Sequence, residues 1–189
     1  MGERPWIRGA ILAAVFVCLA RFAPAQSAID LEGRAVNPFA TDAGRIIVLI
    51  FLRRDCPVSG RYAPTIQKIS KEYSEDASFF LVYPDKLETP EAIRKSVGEY
   101  GYHLPVLRDP DHALVKMSHV QITPEVAVFD RNRKLIYDGR INDWYIDLNR
   151  AHPAPTTHEL EDAIRAAQTG GSLARNEVRG VGCYISDVE

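Results

Sequence analysis

The sequence predicts an α/β domain in which a mixed central sheet is flanked by helices. Two observations support this fold class. A continuous apolar, β-branched run at residues 46–52 begins an alternation of short buried strands and helical segments, as a parallel α/β sheet requires. After that alternation, two short strands surround a polar turn at residues 130–133 and predict a hairpin, which adds an antiparallel edge.

The elements follow one another in the order that this architecture needs. Strands are predicted at residues 46–52, 79–82, 106–107, 126–129 and 135–137, and helices at residues 61–73, 89–100, 113–119 and 157–168. Thr89 is the expected N-cap of its helix, with Pro90 in the first helical position. Gly170 and Gly171 are expected to end the last helix.

Residues 1–25 have the layout of a secretory signal peptide. Arg4 and Arg8 precede an apolar run at residues 10–20, and a small-x-small site ends at Ala25. We therefore predict cleavage after Ala25 and a periplasmic or extracellular protein. Contact with a membrane is expected only in the alternative case of an uncleaved signal.

The mature chain divides into a globular domain at residues 26–170 and a C-terminal tail at residues 171–189. The full chain of 189 residues has a formal net charge of −2 and no long basic or acidic run, so nucleic acid is not an expected partner. Cleavage would leave Cys56 and Cys183 as the only cysteines, and an oxidising compartment favours a disulfide between two such residues.

Cys56 is the candidate nucleophile because it follows a buried strand and opens a helix. Pro57 comes next, at a position where a missing N–H costs nothing. Helix N-termini favour the thiolate, and Arg53 and Arg54 should lower the pKa further while Asp55 opposes them. The alternative is an inert buried cysteine, against which the polar flanking residues argue.

These residues resemble the thioredoxins over about residues 29–169. Cys56-Pro57-Val58-Ser59 takes the place of the Cys-x-x-Cys motif, Pro64 falls where the family has a helix-kinking proline, and Thr123-Pro124 precedes a strand. The resemblance implies a thioredoxin-like fold with a cis bond before Pro124. In that fold the backbone of Thr123 would lie beside Cys56.

The middle of the chain is similar to the redoxin branch of that superfamily, which includes the alkyl hydroperoxide reductase/thiol-specific antioxidant group. The helix from Thr89 and the stretch at residues 104–110 carry this similarity, and they imply a redoxin-type insertion. Ser59 replaces the resolving cysteine of the motif and cannot close a disulfide. A peroxiredoxin would also need proline and threonine at the positions of Leu49 and Arg53.

Four functions stay open. The first is an exported thiol–disulfide oxidoreductase that uses Cys56 on a thiol or disulfide protein substrate. The second is a thiol-dependent peroxidase acting on peroxide, with Arg53 or Arg54 stabilising the leaving oxyanion. The third is a copper-binding protein or metallochaperone in which a histidine joins the two cysteines; the histidines are His103, His112, His119, His152 and His158. The fourth is a scaffold that binds a partner through residues 142–145. No cofactor and no metal site are predicted.

Cys183 is the candidate partner of Cys56. The tail residues leading to Cys183 span ~40 Å when extended at ~3.3 Å each, enough to cross a small domain. Gly180 and Gly182 allow a close approach to another segment. We expect Cys183 to form a disulfide with Cys56, as a resolving step or as a lock on the site. An unpaired tail thiol, or one that bonds another chain, is the alternative.

Overall fold

The computed structural model describes residues 28–41, 44–171, 173 and 178–186. The predicted signal peptide lies outside these residues. Within them, no helix is both long and apolar enough to cross a lipid bilayer.

The fold is built from eleven short strands and six helices of the described chain. The strands are β1 (Ala28–Ile29), β2 (Ala35–Val36), β3 (Ile46–Phe51), β4 (Ala77–Tyr83), β5 (Val106–Arg108), β6 (Ile122–Thr123), β7 (Glu125–Phe129), β8 (Leu135–Gly139), β9 (Tyr145–Asp147), β10 (Arg150–Ala151) and β11 (Cys183–Tyr184). The helices are α1 (Pro38–Thr41), α2 (Pro57–Arg61), α3 (Ala63–Glu72), α4 (Pro90–Glu99), α5 (Ala113–Ser118) and α6 (Glu159–Thr169).

Seven strands form the central sheet in the order β2-β1-β5-β4-β3-β7-β8. Strand β3 is parallel to β4 and antiparallel to β7, and β7 continues antiparallel into β8. The predicted mixed sheet and its terminal hairpin are therefore confirmed. The remaining pairs, β9 with β10 and β6 with β11, form two small separate sheets.

Strand β3 is apolar along its whole length because helices cover both faces of the sheet. Ile46, Val48 and Ile50 pack in the core that also contains α3, α4 and α6 residues. The alternate residues of the strand face a second core, which contains residues of α1 and α5. Side chains alternate between the faces of a strand, so a strand buried on both sides has no polar positions.

The helix predicted over residues 61–73 corresponds to α3, and Tyr62 separates α3 from the preceding short helix α2. Pro64 has no N–H to donate to the carbonyl of Gly60 four residues earlier, so the helical ladder is interrupted there. The predicted apolar face is nevertheless buried; its residues are Tyr62, Ile66, Ile69 and Tyr73.

Two predicted helix ends agree with the structure. The Thr89 side chain accepts a hydrogen bond from Ala92 N–H at 3.3 Å and caps α4. Gly170 follows α6 with a φ of 70°, the left-handed conformation that glycine adopts without steric cost.

Residues 142–145 pack inside the protein. The Tyr62 hydroxyl donates to Asn142 Oδ1 at 2.8 Å, and the Trp144 ring stands edge-on to Tyr62 at 5.4 Å. Tyr145 is buried, and its hydroxyl accepts a hydrogen bond from Arg61 at 3.1 Å. These contacts favour a structural role for the loop over the partner-binding surface considered above.

Candidate functional site

Cys56 lies at the junction between β3 and α2. It is the N-cap residue of the helix, has an extended backbone, and is followed by Pro57 inside the first turn. The proline costs no hydrogen bond because first-turn N–H groups have no helical acceptor. The predicted strand-to-helix placement of the thiol is confirmed.

The Cys56 side chain is buried, with 1% of the residue exposed. The polar flanking residues argued against an inert, buried cysteine, and the structure contradicts the burial part of that expectation. Arg54 and Asp55 are exposed, whereas the next residue, Cys56, is buried. Its surroundings are not purely apolar, however, because the sulfur has polar neighbours.

Those neighbours lower the pKa of the Cys56 thiol. Burial alone would raise the pKa, but hydrogen bonds from the Ser59 backbone N–H and hydroxyl stabilise the thiolate. The Cys183 thiol and the Val58 N–H act in the same direction. The sequence predicted a lowered pKa, but these local donors, rather than the arginines before Cys56, are its leading causes.

Arg53 is held by two carboxylates. Its Nε lies 2.8 Å from Asp55 Oδ1, and its Nη2 lies 3.2 Å from Asp85 Oδ2. The positive charge of Arg53 lowers the pKa of Cys183 instead. Arg53 therefore fixes the loop before the nucleophile and acts on the second thiol.

Arg54 contributes its backbone to the site. Its N–H donates to Glu88 Oε1 at 2.7 Å, which ties the loop before Cys56 to the segment before α4. Glu88 is buried, and burial raises the pKa of its carboxyl. Glu88 could not be predicted from the sequence, because it lies in a polar segment between β4 and α4 with no motif around it.

Ser59 stands where the motif's second cysteine would be and is also buried. Its hydroxyl oxygen lies 3.5 Å from the backbone N–H of Arg53, and its own groups act on the Cys56 thiolate. The substitution that removes the motif disulfide thus leaves a donor beside the nucleophile.

Thr123 and Cys56 meet across 67 residues of chain. The Thr123–Pro124 peptide bond is cis, as the resemblance implied. The carbonyl oxygen of Thr123 accepts a hydrogen bond from the Cys56 thiol at 3.2 Å. The expected position of the Thr123 backbone beside Cys56 is therefore confirmed.

The C-terminal tail brings Cys183 to the same place. Strand β11 pairs antiparallel with β6, so that Cys183 lies opposite Thr123. The Thr123 hydroxyl donates to the Cys183 carbonyl oxygen at 3.3 Å. Both cysteines are free thiols, and the Cys183 thiol hydrogen-bonds to Cys56. The tail, for which no element was predicted, thus forms a short strand over the nucleophile.

The two thiols differ in acidity. Burial raises the pKa of Cys183 to about 11, and the hydrogen bond to Cys56 and the negative charge of that thiolate act in the same direction. Cys56 titrates below its ordinary value. Cys56 is therefore the more acidic thiol of the pair.

Two glycines allow the tail to approach the chain around Pro124 closely. A Cβ at Gly182 would overlap the Thr123 carbonyl oxygen, and a Cβ at Gly180 would lie 2.8 Å from the Pro124 carbonyl oxygen. The predicted close approach of this segment is confirmed. A side chain at either position would push the strand away from β6.

The described residues do not add support for the copper-binding or the peroxidase alternative. Among residues 28–41, 44–171, 173 and 178–186, no group of three or more His, Cys, Asp or Glu side chains is arranged to hold a metal ion. Leu49, at the position of the peroxiredoxin proline, is a fully buried residue of β3, and Arg53 is occupied by its two carboxylates.

Comparisons with solved structures agree on the fold. The chain superposes on a hypothetical protein from Sinorhizobium meliloti 1021 with a TM-score of 0.70 and 22% identity, covering 84% of this chain and 88% of the other. An uncharacterized conserved protein from Geobacillus kaustophilus gives 0.71 and 22%, covering 84% and 86%. A secreted Mycobacterium tuberculosis disulfide oxidoreductase homologous to Escherichia coli DsbE gives 0.52 and 18%, covering 74% and 94%.

These likenesses show a thioredoxin-like fold. No match was found among the curated proteins. Residues 21–144, well over half of the chain, match the Redoxin family. The protein therefore belongs to the Redoxin family.

Proposed function

We propose that the protein is a thiol–disulfide oxidoreductase in which Cys56 is the attacking thiolate and Cys183 is the resolving thiol. One observation carries this proposal. Thr123 bonds to both residues, through its carbonyl to the Cys56 thiol and through its hydroxyl to the Cys183 backbone. Cys183 thereby takes the place of the second cysteine of the motif, which is Ser59 in this chain.

The reaction begins on Cys56, which is the more acidic thiol of the pair. Its thiolate attacks one sulfur of a substrate disulfide, forms a mixed disulfide, and releases the other substrate sulfur as a thiolate. This step removes the negative charge from Cys56. Because that charge and its hydrogen bond raise the pKa of Cys183, Cys183 becomes more acidic once the mixed disulfide has formed.

Cys183 then loses its proton to solvent and attacks Cys56 of the mixed disulfide. A Cys56–Cys183 disulfide forms, and the second substrate sulfur leaves as a thiolate. The substrate gains two electrons, and the protein dithiol loses them. The same steps in reverse transfer the disulfide to a substrate dithiol, so the redox poise of the compartment determines the direction.

The test compares wild type with Cys56→Ser and Cys183→Ser in an insulin-reduction assay. We expect no turnover with Cys56→Ser, whereas Cys183→Ser should retain the first step and accumulate a mixed disulfide on Cys56. Peptide mapping of the oxidised wild-type monomer without reductant should find Cys56 bonded to Cys183. Equal turnover of wild type and Cys56→Ser, or two free cysteines after oxidation, would refute the proposal.

Export is a second part of the proposal. It rests on the pattern of residues 1–25 and is in line with the secreted oxidoreductase from Mycobacterium tuberculosis, which has the same fold. N-terminal sequencing of protein from the exported fraction should begin at Gln26. Exported protein that starts at Met1 would contradict cleavage after Ala25.

A further inference from the structure

Glu125 is a fully buried carboxylate two residues after Thr123, the residue that bonds to both cysteines. It follows Pro124 directly, begins β7, and has 0% of its surface exposed. A buried carboxylate is costly unless hydrogen-bond donors surround it. The hydrogen-bond donors around Glu125 therefore show which segments of the chain this side chain connects.

All three of its described donors are backbone N–H groups. Oε2 accepts from Gln121 at 2.9 Å and from Ile122 at 3.2 Å, at the start of β6. Oε1 accepts from Gly180 at 2.8 Å, in the tail. One side chain thus bonds to the strand that contacts Cys56 and to the segment that carries Cys183.

The contact to the tail is closely fitted. A Cβ at Gly180 would lie 3.0 Å from Glu125 Cγ. Gly180 precedes Cys183 by three residues, and beyond the cysteine Ile185 N–H donates to the Gln121 carbonyl at 2.9 Å. The Glu125 bond and the β6 pairing therefore hold the tail on both sides of the thiol.

We infer that Glu125 is a positioning residue that docks the tail and so presents Cys183 to Cys56. This inference rests on the proposed function, because it assigns Glu125 to the resolving step. Docking raises the effective concentration of Cys183 at the mixed disulfide. It also covers Cys56, so the same bond governs how readily both thiols meet external reagents.

The experiment measures alkylation of each thiol in the reduced full-length chain, by mass spectrometry of the peptides that contain Cys56 and Cys183. Glu125→Gln keeps the size of the side chain but offers one acceptor oxygen instead of two. Hydrogen bonds to charged groups are strong, so we expect alkylation of Cys183 to accelerate on the order of tenfold to hundredfold. Alkylation of Cys56 should accelerate with it.

The matched control is Asp109→Asn. Asp109 is also a buried carboxylate, and its Oδ2 accepts a hydrogen bond from Val115 N–H at 2.9 Å in α5; within the described chain it makes no hydrogen bond to the tail. This variant should lose stability without changing alkylation of Cys183. Gly180→Ala is the second test variant, because it leaves Glu125 intact and should expose Cys183 in the same way.

A second readout follows the resolving step with glutathione disulfide. In wild type, the two protein thiols lose two electrons and two protons, and one glutathione disulfide becomes two glutathiones. Glu125→Gln should slow the second half of this exchange, so that Cys56 bonded to glutathione accumulates.

The outcomes separate the two proposals. If the wild-type disulfide forms but Glu125→Gln and Gly180→Ala leave Cys183 as protected as in wild type, the role of Glu125 is refuted and the proposed function stands. If Cys183 protection depends on Glu125 but wild type never forms the disulfide, the docking role stands and the resolving role is refuted. Equal acceleration in Asp109→Asn would show a general loss of stability and would overturn the inference.

Discussion

Replacing Ser59 by alanine tests how the protein makes Cys56 nucleophilic. The hydroxyl of Ser59 is one of the groups that hold the pKa of Cys56 below its ordinary value, after the Ser59 backbone N–H. Ser59→Ala removes the hydroxyl and leaves the N–H in place. The side chain is buried, so water does not readily replace the lost donor.

The expected size of the effect follows from the hydrogen bond. A hydrogen bond to a charged group contributes about 1.5–3 kcal/mol. A change of one pKa unit corresponds to about 1.4 kcal/mol. Because the hydroxyl shares the thiolate with other donors, we take the lower end of that range. The pH at which Cys56 reaches half of its maximal alkylation rate should therefore rise by about one.

The assay is the pH dependence of Cys56 alkylation by iodoacetamide. The plateau rate at high pH should rise slightly in Ser59→Ala, because a more basic thiolate is a stronger nucleophile. Ser70→Ala is the control: Ser70 is another buried serine, and its hydroxyl donates to the Gln67 carbonyl at 3.1 Å within α3. Ser70→Ala should leave both the midpoint and the plateau unchanged.

An unchanged midpoint in Ser59→Ala would refute the reasoning, and so would an equal shift in Ser70→Ala. The first result would mean that the hydroxyl does not act on the thiolate. The second would mean that the shift reflects a general loosening of the helical segment.

Three further predictions follow from the site and its surroundings. Gly182→Ala should displace β11, so that peptide mapping without reductant finds no Cys56–Cys183 disulfide. The control Gly98→Ala lies in α4, where a Cβ would meet no atom within 4 Å; it should leave the disulfide intact and stabilise the fold by about 0.5–1 kcal/mol. Loss of the disulfide in both variants would contradict this prediction. The raised pKa of Cys183 contributes stability to the reduced protein below the ordinary thiol pKa of 9.0, and this contribution is lost as the pH rises towards about 11. In urea unfolding over that pH range, wild type should therefore lose stability relative to Cys183→Ser. A difference in stability that stays constant with pH would contradict this prediction. Glu88→Ala should cost about 1–3 kcal/mol because the Arg54 N–H loses its acceptor, while Glu88→Gln keeps an acceptor and should cost less; equal losses on urea unfolding would exclude this role.

The sequence was sufficient to predict the elements that have a long pattern. The apolar run of β3, the capped helix α4 and the hairpin of β7 and β8 each show a period, a cap or a turn within one stretch of chain. The two-residue strands β6 and β11 have no such pattern. Their existence depends on a pairing between segments 60 residues apart, which local sequence does not encode.

The candidate site was predictable to the same extent. Cys56 and Thr123 were predicted from their resemblance to the thioredoxin motifs. Cys183 was predicted because it is the only other cysteine of the chain that remains after the predicted signal cleavage. Glu125 was missed, although a carboxylate directly after Pro124 at the start of an apolar strand was a visible signal. The source of the lowered pKa was also missed, because the side chains that surround a thiol depend on the packing of the folded chain.

The pairing of β6 with β11 also affects the tendency of the protein to self-associate. An open strand edge exposes backbone donors and acceptors in a row, and such edges are templates on which other chains add strands and aggregate. The tail lies along this edge at Ile122 and Thr123, beside the reactive sulfur. A chain that ends before residue 178 would expose both the unpaired edge of β6 and the Cys56 thiol. We expect such a chain to self-associate and to form intermolecular disulfides. The last strand thus contributes to solubility as well as to chemistry.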